Sequence, residues 1–213
     1  MRVTPAPPAT VEPAPPAINL GRHPGSARES VTYVSTPFVS ELQIQLRTAQ
    51  LAARIAEELA GREVVVVVVL KGAFVFAADL IRRLAENGLS PEVDFIRAAS
   101  YGDADQSSGK ISLQLDASLE LAGKYILMVD DICDTGLTLS FLAARLKRRS
   151  PAGLKTCVLL NKPSRRENDF IPDYIGFEIP DEFVVGYGLD YAEQHRCLPF
   201  VTTLNRKGNL DDR

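Results

Sequence analysis

Hydrophobic positions along the chain follow two repeats, one typical of helices and one of buried strands. A capping box begins at Ser40, and apolar residues then recur at helical spacing until Gly61, which predicts an amphipathic helix. Residues 64–70 form an unbroken run of Val and Leu, which is typical of a strand covered on both faces in a parallel sheet. A second helical repeat begins at Phe74 and stops before Gly88.

The same strand, turn and helix succession recurs further along the chain. Strands are predicted at 93–98, 125–132 and 155–161, with a helix after the second of them that ends before Pro151. Short extended segments are predicted at 174–179, 183–186 and 200–204. Strands that alternate with helices predict an α/β domain with a mainly parallel sheet. The polar, glycine-containing segment 100–109 is predicted to be a mobile lid or binding loop.

The N-terminal segment has a different composition from the rest. Residues 1–17 hold six of the 14 prolines, interleaved with alanine, and cannot pack a core. We therefore expect a flexible Pro/Ala-rich tail over residues 1–29 and one folded domain over residues 30–213. A docking peptide for a proline-binding module is the alternative interpretation of the tail.

Composition narrows the class of protein. A net charge of -3 argues against a surface built for nucleic acid, and no apolar run approaches the ~20 residues of a membrane helix. Cys133, Cys157 and Cys197 are widely spaced and form no CxxC pair, which argues against a disulfide framework. We expect a cytoplasmic protein without nucleic-acid or membrane partners.

The most informative segment spans residues 129–139. Its strand ends in Asp130 and Asp131, at the sheet edge where α/β proteins bind ligands. A turn of acid, hydroxyl and glycine residues then opens a helix, and backbone N–H groups at such a position bind phosphate. The segment is neither a Walker A loop nor a GxGxxG fingerprint. We predict a phosphate-binding turn beside a pair of carboxylates.

This segment, Val-Asp-Asp-Ile-Cys-Asp-Thr-Gly-Leu-Thr-Leu, resembles the phosphoribosyl pyrophosphate-binding signature of the type I phosphoribosyltransferases. Six further motifs follow the order and spacing of the bacterial hypoxanthine or hypoxanthine-guanine members of that family. These motifs are residues 70–72, 94–96, 100–102, 107–109, 162–163 and 183–191. The resemblance covers about residues 30–204. It implies a type I phosphoribosyltransferase fold, in which a mainly parallel twisted sheet is flanked by helices and joined by a small hood region.

The resemblance also implies residue roles. Asp134 would be the catalytic residue that takes the N7 proton of the purine. The residues that would bind phosphoribosyl pyrophosphate are Lys71, Gly72, Asp130, Asp131, Asp134, Thr135, Gly136, Leu137, Thr138 and Arg196. The purine-binding residues would be Lys162, Phe183, Val184 and Asp190. Magnesium would be held by Asp130, Asp131 and Asp190, and Ser100 and Tyr101 would belong to the lid loop.

The implied activity is purine salvage, in which the phosphoribosyl group passes to hypoxanthine, and also to guanine, and pyrophosphate is released. Glu182 stands where a lysine is common in the family, which leaves the choice between hypoxanthine and guanine open. A xanthine or other base phosphoribosyltransferase is one alternative. A non-catalytic sensor of phosphoribosyl pyrophosphate is another, although the net charge of -3 offers no basic face for nucleic acid. The resemblance further implies a homo-dimer or homo-tetramer.

Overall fold

The structure is a computed structural model that describes residues 38–101 and 110–203. Three α-helices lie in these ranges, namely α1 (Glu41–Glu58), α2 (Phe74–Glu86) and α3 (Leu137–Lys147). The strands are β1 (Val64–Val69), β2 (Glu92–Tyr101), β3 (Lys110–Leu115), β4 (Tyr125–Cys133), β5 (Gly153–Asn161), β6 (Tyr174–Glu178), β7 (Val184–Val185) and β8 (Thr202–Thr203). The predicted tail at 1–29 and most of the predicted loop at 100–109 lie outside the described residues.

Six strands form the main sheet in the order β3-β2-β1-β4-β5-β6. Neighbouring strands from β2 to β6 are parallel, and only β3 pairs antiparallel, with β2. The predicted α/β class with a mainly parallel sheet is therefore confirmed. β7 and β8 form a separate antiparallel pair, and Val39 bridges to Val201 beside it. This small region outside the main sheet corresponds to the hood.

The valine run of β1 has a core on each side. Alternate side chains of a strand point to opposite faces, and all six residues of β1 are buried. The even-numbered valines pack with α1 and α2, whereas the odd-numbered valines pack with α3. Burying a valine side chain is worth about 1.5 kcal/mol or more, so β1 is a stable central element on which to build a site.

The hairpin of β2 and β3 corrects the predicted loop. Ser100 and Tyr101 lie at the end of β2 and pair with Ile111 and Lys110, so the start of the predicted loop at residue 100 is wrong. Strand β3 was not predicted at all. Residues 111–115 alternate apolar and polar side chains, which is typical of a half-buried strand, so the sequence held a signal for β3 that the prediction did not use. The lid role of Ser100 and Tyr101 stays a prediction.

Asp94 anchors the returning end of this hairpin. Its carboxylate accepts hydrogen bonds from the backbone N–H groups of Ser118 (2.6 Å) and Leu119 (2.7 Å). These bonds hold the pKa of Asp94 below its usual value although burial opposes them. The segment after β3 is thereby fixed against the sheet. Within the described ranges, no helix is long and apolar enough to cross a membrane.

Candidate active site

The site lies where the strand order reverses. From β1 the chain turns to β2 on one side and later reaches β4 on the other, so a crevice opens between the two crossovers. The carboxyl ends of β1, β4 and β5 meet there. They carry the turn at Lys71 and Gly72, the acids from Asp130 to Asp134, and Lys162. Lys162 and all the residues predicted to bind phosphates except Arg196 therefore lie at or directly after one edge of the sheet.

Gly72 is required by a close approach between this turn and its neighbours. A β-carbon at Gly72 would lie less than 3.0 Å from the carboxylate of Asp131. On the other side, Gly188 has a φ of +102°, and a β-carbon there would lie less than 3.0 Å from the carbonyl oxygen of Gly72. The peptide bond from Leu70 to Lys71 is cis. The turn is thus held between β4 and the segment after β7.

Asp130 and Asp131 form a carboxylate pair in which Asp130 is buried and Asp131 is half-buried. Asp130 is 8% exposed. Burial raises the pKa of Asp130, and the charge of Asp131 raises it further. Burial also raises the pKa of Asp131, although the nearby Arg196 opposes this effect. Burial and mutual repulsion disfavour the ionised form of these two carboxyls, and a hard cation would stabilise it. Mg²⁺ prefers such oxygen ligands.

Asp190, which the resemblance implies for a second magnesium site, lies against a cation. Its Oδ1 lies 2.8 Å from the guanidinium of Arg196. Within residues 38–101 and 110–203, no group of three or more His, Cys, Asp or Glu side chains is placed to hold one metal ion. A magnesium ion at Asp130 and Asp131 would therefore need further ligands from substrate or water.

The predicted phosphate turn opens α3. Gly136 is the N-cap residue with a φ of 84°, a conformation that glycine adopts without strain. The N–H of Leu137 donates to Oγ1 of Thr135 (3.3 Å). First-turn amides have no partner within a helix, so the N-terminus of α3 at Leu137 and Thr138 can bind an anion.

Arg166 supports this turn from behind, and sequence analysis missed it. Its guanidinium donates to the carbonyl oxygen of Asp134 (2.8 Å), to Oδ1 of Asn161 and to the sulfur of Cys133. A β-carbon at Gly136 would lie 2.9 Å from the Arg166 side chain. Arginine carries five donors in a planar fork, so one residue can tie β4, β5 and the turn together. Only the basic pair that follows Lys162 and Pro163 could have signalled this role.

Lys162 lies beside Asp134 because β4 and β5 are paired. The N–H of Lys162 donates to the carbonyl oxygen of Cys133 (2.9 Å), and its side chain is only 8% exposed. Its Nζ lies 3.8 Å from Oδ1 of Asp181. Arg165 lies 3.3 Å from Oδ1 of Asp134 and 3.6 Å from Oδ1 of Asp181. Two cations and two carboxylates thus alternate here, and neither Arg165 nor Asp181 was predicted.

Aromatic and apolar residues adjoin this charged row. Phe183 is half-buried and packs edge-to-face with Tyr191, with a ring-centroid distance of 5.8 Å. Val184 is buried in β7 and pairs with Thr203. The stacking role of Phe183 and the purine-edge role of Val184 stay predictions.

Lys71 and Arg196, the two cations predicted for pyrophosphate, share one carboxylate. Glu193 lies 2.8 Å from Nζ of Lys71 and 3.2 Å from the guanidinium of Arg196. The side chain of Arg196 is 19% exposed, and its Nε is buried without a hydrogen-bond partner. Glu193 was not singled out from the sequence.

Cys133 is an unreactive structural residue. Burial is the main cause that raises the pKa of its thiol to about 11, and the charges of Asp130 and Asp134 add to the effect. The sequence predicted this direction from the neighbouring acids alone. A thiol with such a pKa is not a nucleophile at neutral pH.

Comparison with known proteins places this geometry in a class. Residues 39–192 match the model of the phosphoribosyl transferase domain family. The chain therefore belongs to the phosphoribosyltransferase family. Within that family it groups with the hypoxanthine and hypoxanthine-guanine phosphoribosyltransferases, which are purine-salvage enzymes.

Two curated relatives and one solved structure illustrate the grouping. The hypoxanthine phosphoribosyltransferase of Salmonella typhimurium is 44% identical over 165 residues, which cover 76% of this chain and 91% of the relative. The hypoxanthine-guanine phosphoribosyltransferase of Bacillus subtilis is 42% identical over 166 residues, with coverage of 78% and 91%. A crystal structure of a hypoxanthine-guanine phosphoribosyltransferase from Bacillus anthracis is 44% identical with a TM-score of 0.76, and the match covers 81% of this chain and 100% of that one. The chain is thus similar to enzymes, which gives the non-catalytic alternative no support.

Proposed function

We propose that the enzyme transfers the phosphoribosyl group of phosphoribosyl pyrophosphate to hypoxanthine, and also to guanine, and releases pyrophosphate. One observation carries the proposal. The ends of β1, β4 and β5 bring a cationic turn, a carboxylate pair, the predicted phosphate turn and a buried lysine to a single edge. Phosphoribosyl pyrophosphate carries a phosphate, a ribose and a pyrophosphate, and the second substrate is a base, so the two substrates together need these four surroundings.

Each part of the substrate has residues that suit it. The N-terminus of α3, from Asp134 to Thr138, would bind the 5′-phosphate through backbone N–H groups. The carboxylates of Asp130 and Asp131 would accept from the ribose hydroxyls and hold Mg²⁺. Lys71 and Arg196 would bind the pyrophosphate, with Asp190 holding a second Mg²⁺ at that end. Bound Mg²⁺ would neutralise charge on the leaving group.

The reaction breaks the bond between the ribose C1 and the pyrophosphate oxygen, and a purine nitrogen forms the new bond to C1. Positive charge develops on the sugar and negative charge on pyrophosphate, so fixed cations such as Lys71 and Arg196 stabilise the transition state. Asp134 would take the purine N7 proton as general base. Arg165, 3.3 Å from Oδ1 of Asp134, would hold that carboxylate in position.

Lys162 would select the base. Its ammonium has three donors and no acceptor, so it pairs with a 6-oxo oxygen but meets the 6-amino group of adenine donor to donor. Phe183 would stack on the ring, and the backbone of Val184 would bind its far edge. The relatives are named hypoxanthine and hypoxanthine-guanine phosphoribosyltransferases, and these names support hypoxanthine and guanine as substrates over xanthine.

The remaining expectations rest on family membership. The segment that begins at Ser100 and Tyr101 would close over the substrates and exclude water. The enzyme would act in the cytoplasm as a homo-dimer or homo-tetramer.

Lys162→Gln tests the proposal, because an amide can both donate and accept. We expect kcat/KM for hypoxanthine to fall and the gap between hypoxanthine and adenine to narrow from ~10⁴-fold. Lys147→Gln, an exposed change at the end of α3, is the control that should leave both values unchanged. An unchanged hypoxanthine-to-adenine ratio in Lys162→Gln would refute the role of this residue in base choice.

A further inference from the structure

Glu193 occupies a position that the proposed function does not use. The residue lies in a turn where Ala192, Glu193 and His195 all have positive φ values, of 50°, 64° and 78°. Its N–H donates to Oδ2 of Asp190 (2.8 Å), which fixes the turn beside the site. The side chain is 64% exposed, so packing in a hydrophobic core does not explain its position.

The Glu193 carboxylate lies between two cations. One oxygen is 2.8 Å from Nζ of Lys71, and the other is 3.2 Å from the guanidinium of Arg196. These two cations lower the pKa of Glu193, so it is ionised at neutral pH. A carboxylate in this position presents oxygens to Lys71 and Arg196 as a phosphate group would.

Arg196 still has a donor to offer. Its Nε is buried and has no hydrogen-bond partner, while its NH1 donates to the carbonyl oxygen of Gly188 (2.8 Å). A buried donor without a partner costs free energy. An anion with several oxygens could accept a hydrogen bond from this Nε and also take the place of Glu193. Glu193 therefore leaves one donor of Arg196 without a partner, as expected if its carboxylate takes the place of a larger anion.

We propose that Glu193 is an internal competitor for the pyrophosphate group, which must displace it from Lys71 and Arg196 to bind. This proposal rests on the proposed function, because it takes the pyrophosphate role of those two cations as given. The return of Glu193 to the cations would assist the release of pyrophosphate after transfer. The residue thus limits affinity for the leaving group while the cations remain available to stabilise the transition state.

The test is the affinity of the full-length enzyme for magnesium pyrophosphate, measured by titration calorimetry. Glu193→Gln keeps the size of the side chain and removes its charge. Since exposed ion pairs are worth little individually, we expect pyrophosphate to bind about 2- to 10-fold more tightly to this variant. Glu178→Gln, an exposed residue of β6, makes the same charge change away from these cations and should bind as the wild type does.

The outcomes separate the two proposals. Equal affinity of wild type and Glu193→Gln, weaker binding by Glu193→Gln, or an equal gain in Glu178→Gln would overturn the role of Glu193. If neither the wild type nor Glu193→Gln binds magnesium pyrophosphate, the assignment of Lys71 and Arg196 to pyrophosphate fails as well. Matching melting temperatures of wild type and variants show that a change in affinity does not come from unfolding.

Discussion

Gly188 should tolerate no side chain, because it combines a left-handed backbone with a backbone neighbour. Its φ is +102°, and a β-carbon would lie less than 3.0 Å from the carbonyl oxygen of Gly72. An alanine at positive φ costs about 1–2 kcal/mol. Overpacking against a neighbour that cannot rotate away adds about 1–3 kcal/mol. We expect Gly188→Ala to lower the free energy of unfolding by about 2–5 kcal/mol.

Gly123→Ala supplies the matched control. Gly123 has a φ of +74°, but nothing lies within 4 Å of the β-carbon position. Its alanine variant should therefore lose only the backbone contribution of about 1–2 kcal/mol, measured by urea unfolding. Gly188→Ala should also raise KM for phosphoribosyl pyrophosphate, because the turn at Gly72 must move. Equal losses of stability in the two variants, with KM unchanged in Gly188→Ala, would refute the argument from close approach.

Two further changes probe the support of the phosphate turn and the carboxylate pair. The lysine of Arg166→Lys cannot contact Asp134, Asn161 and Cys133 at once. We therefore expect kcat/KM for phosphoribosyl pyrophosphate to fall about 10-fold in steady-state kinetics. The control, Arg148→Lys at the exposed end of α3, should have no effect. Asp130→Asn should abolish activity yet raise the free energy of unfolding at pH 7.5 by about 0.5–2 kcal/mol, because it removes a charge that the fold disfavours. The native pKa of Asp130 lies above its usual value of 3.8. Between pH 3.8 and the native pKa, the native state therefore binds more protons than the unfolded state, and its stability falls as the pH rises through this range. Urea unfolding at several pH values should therefore show that the gain from Asp130→Asn shrinks as pH falls toward 3.8, and a gain that does not depend on pH would contradict the assignment.

Local pattern was sufficient for the central elements of the fold. The valine run predicted β1 as a strand with both faces covered, since only a central parallel strand buries every residue of such a run. The capping box at Ser40 predicted the start of α1, and both of its reciprocal hydrogen bonds are present. The resemblance, and not the local pattern, implied one site for the acids at the end of β4 and the lysine after β5, and the parallel pairing of β4 and β5 brings them together.

The local pattern of residues could not predict contacts between residues that lie far apart in the sequence. Strand β3 is a missed local signal and not a long-range one, because Ile111, Leu113 and Leu115 alternate with polar residues as in a half-buried strand. Arg166 reads as an ordinary surface residue until β4 and β5 are placed side by side. Glu193 likewise lies 122 positions from Lys71, and no local signal connects the two. The resemblance implied residue roles, but these contacts arise only when distant segments meet in the fold.

The central claim is that this edge of the sheet transfers a phosphoribosyl group to a 6-oxopurine. The most direct test measures pyrophosphate release by the wild-type enzyme with phosphoribosyl pyrophosphate and Mg²⁺, with hypoxanthine, guanine, xanthine and adenine supplied separately. We predict rapid release with hypoxanthine, release with adenine about 10⁴-fold slower, and none when excess chelator removes the metal. Equal rates with adenine and hypoxanthine, full turnover in chelator, or no release with any base would contradict the account.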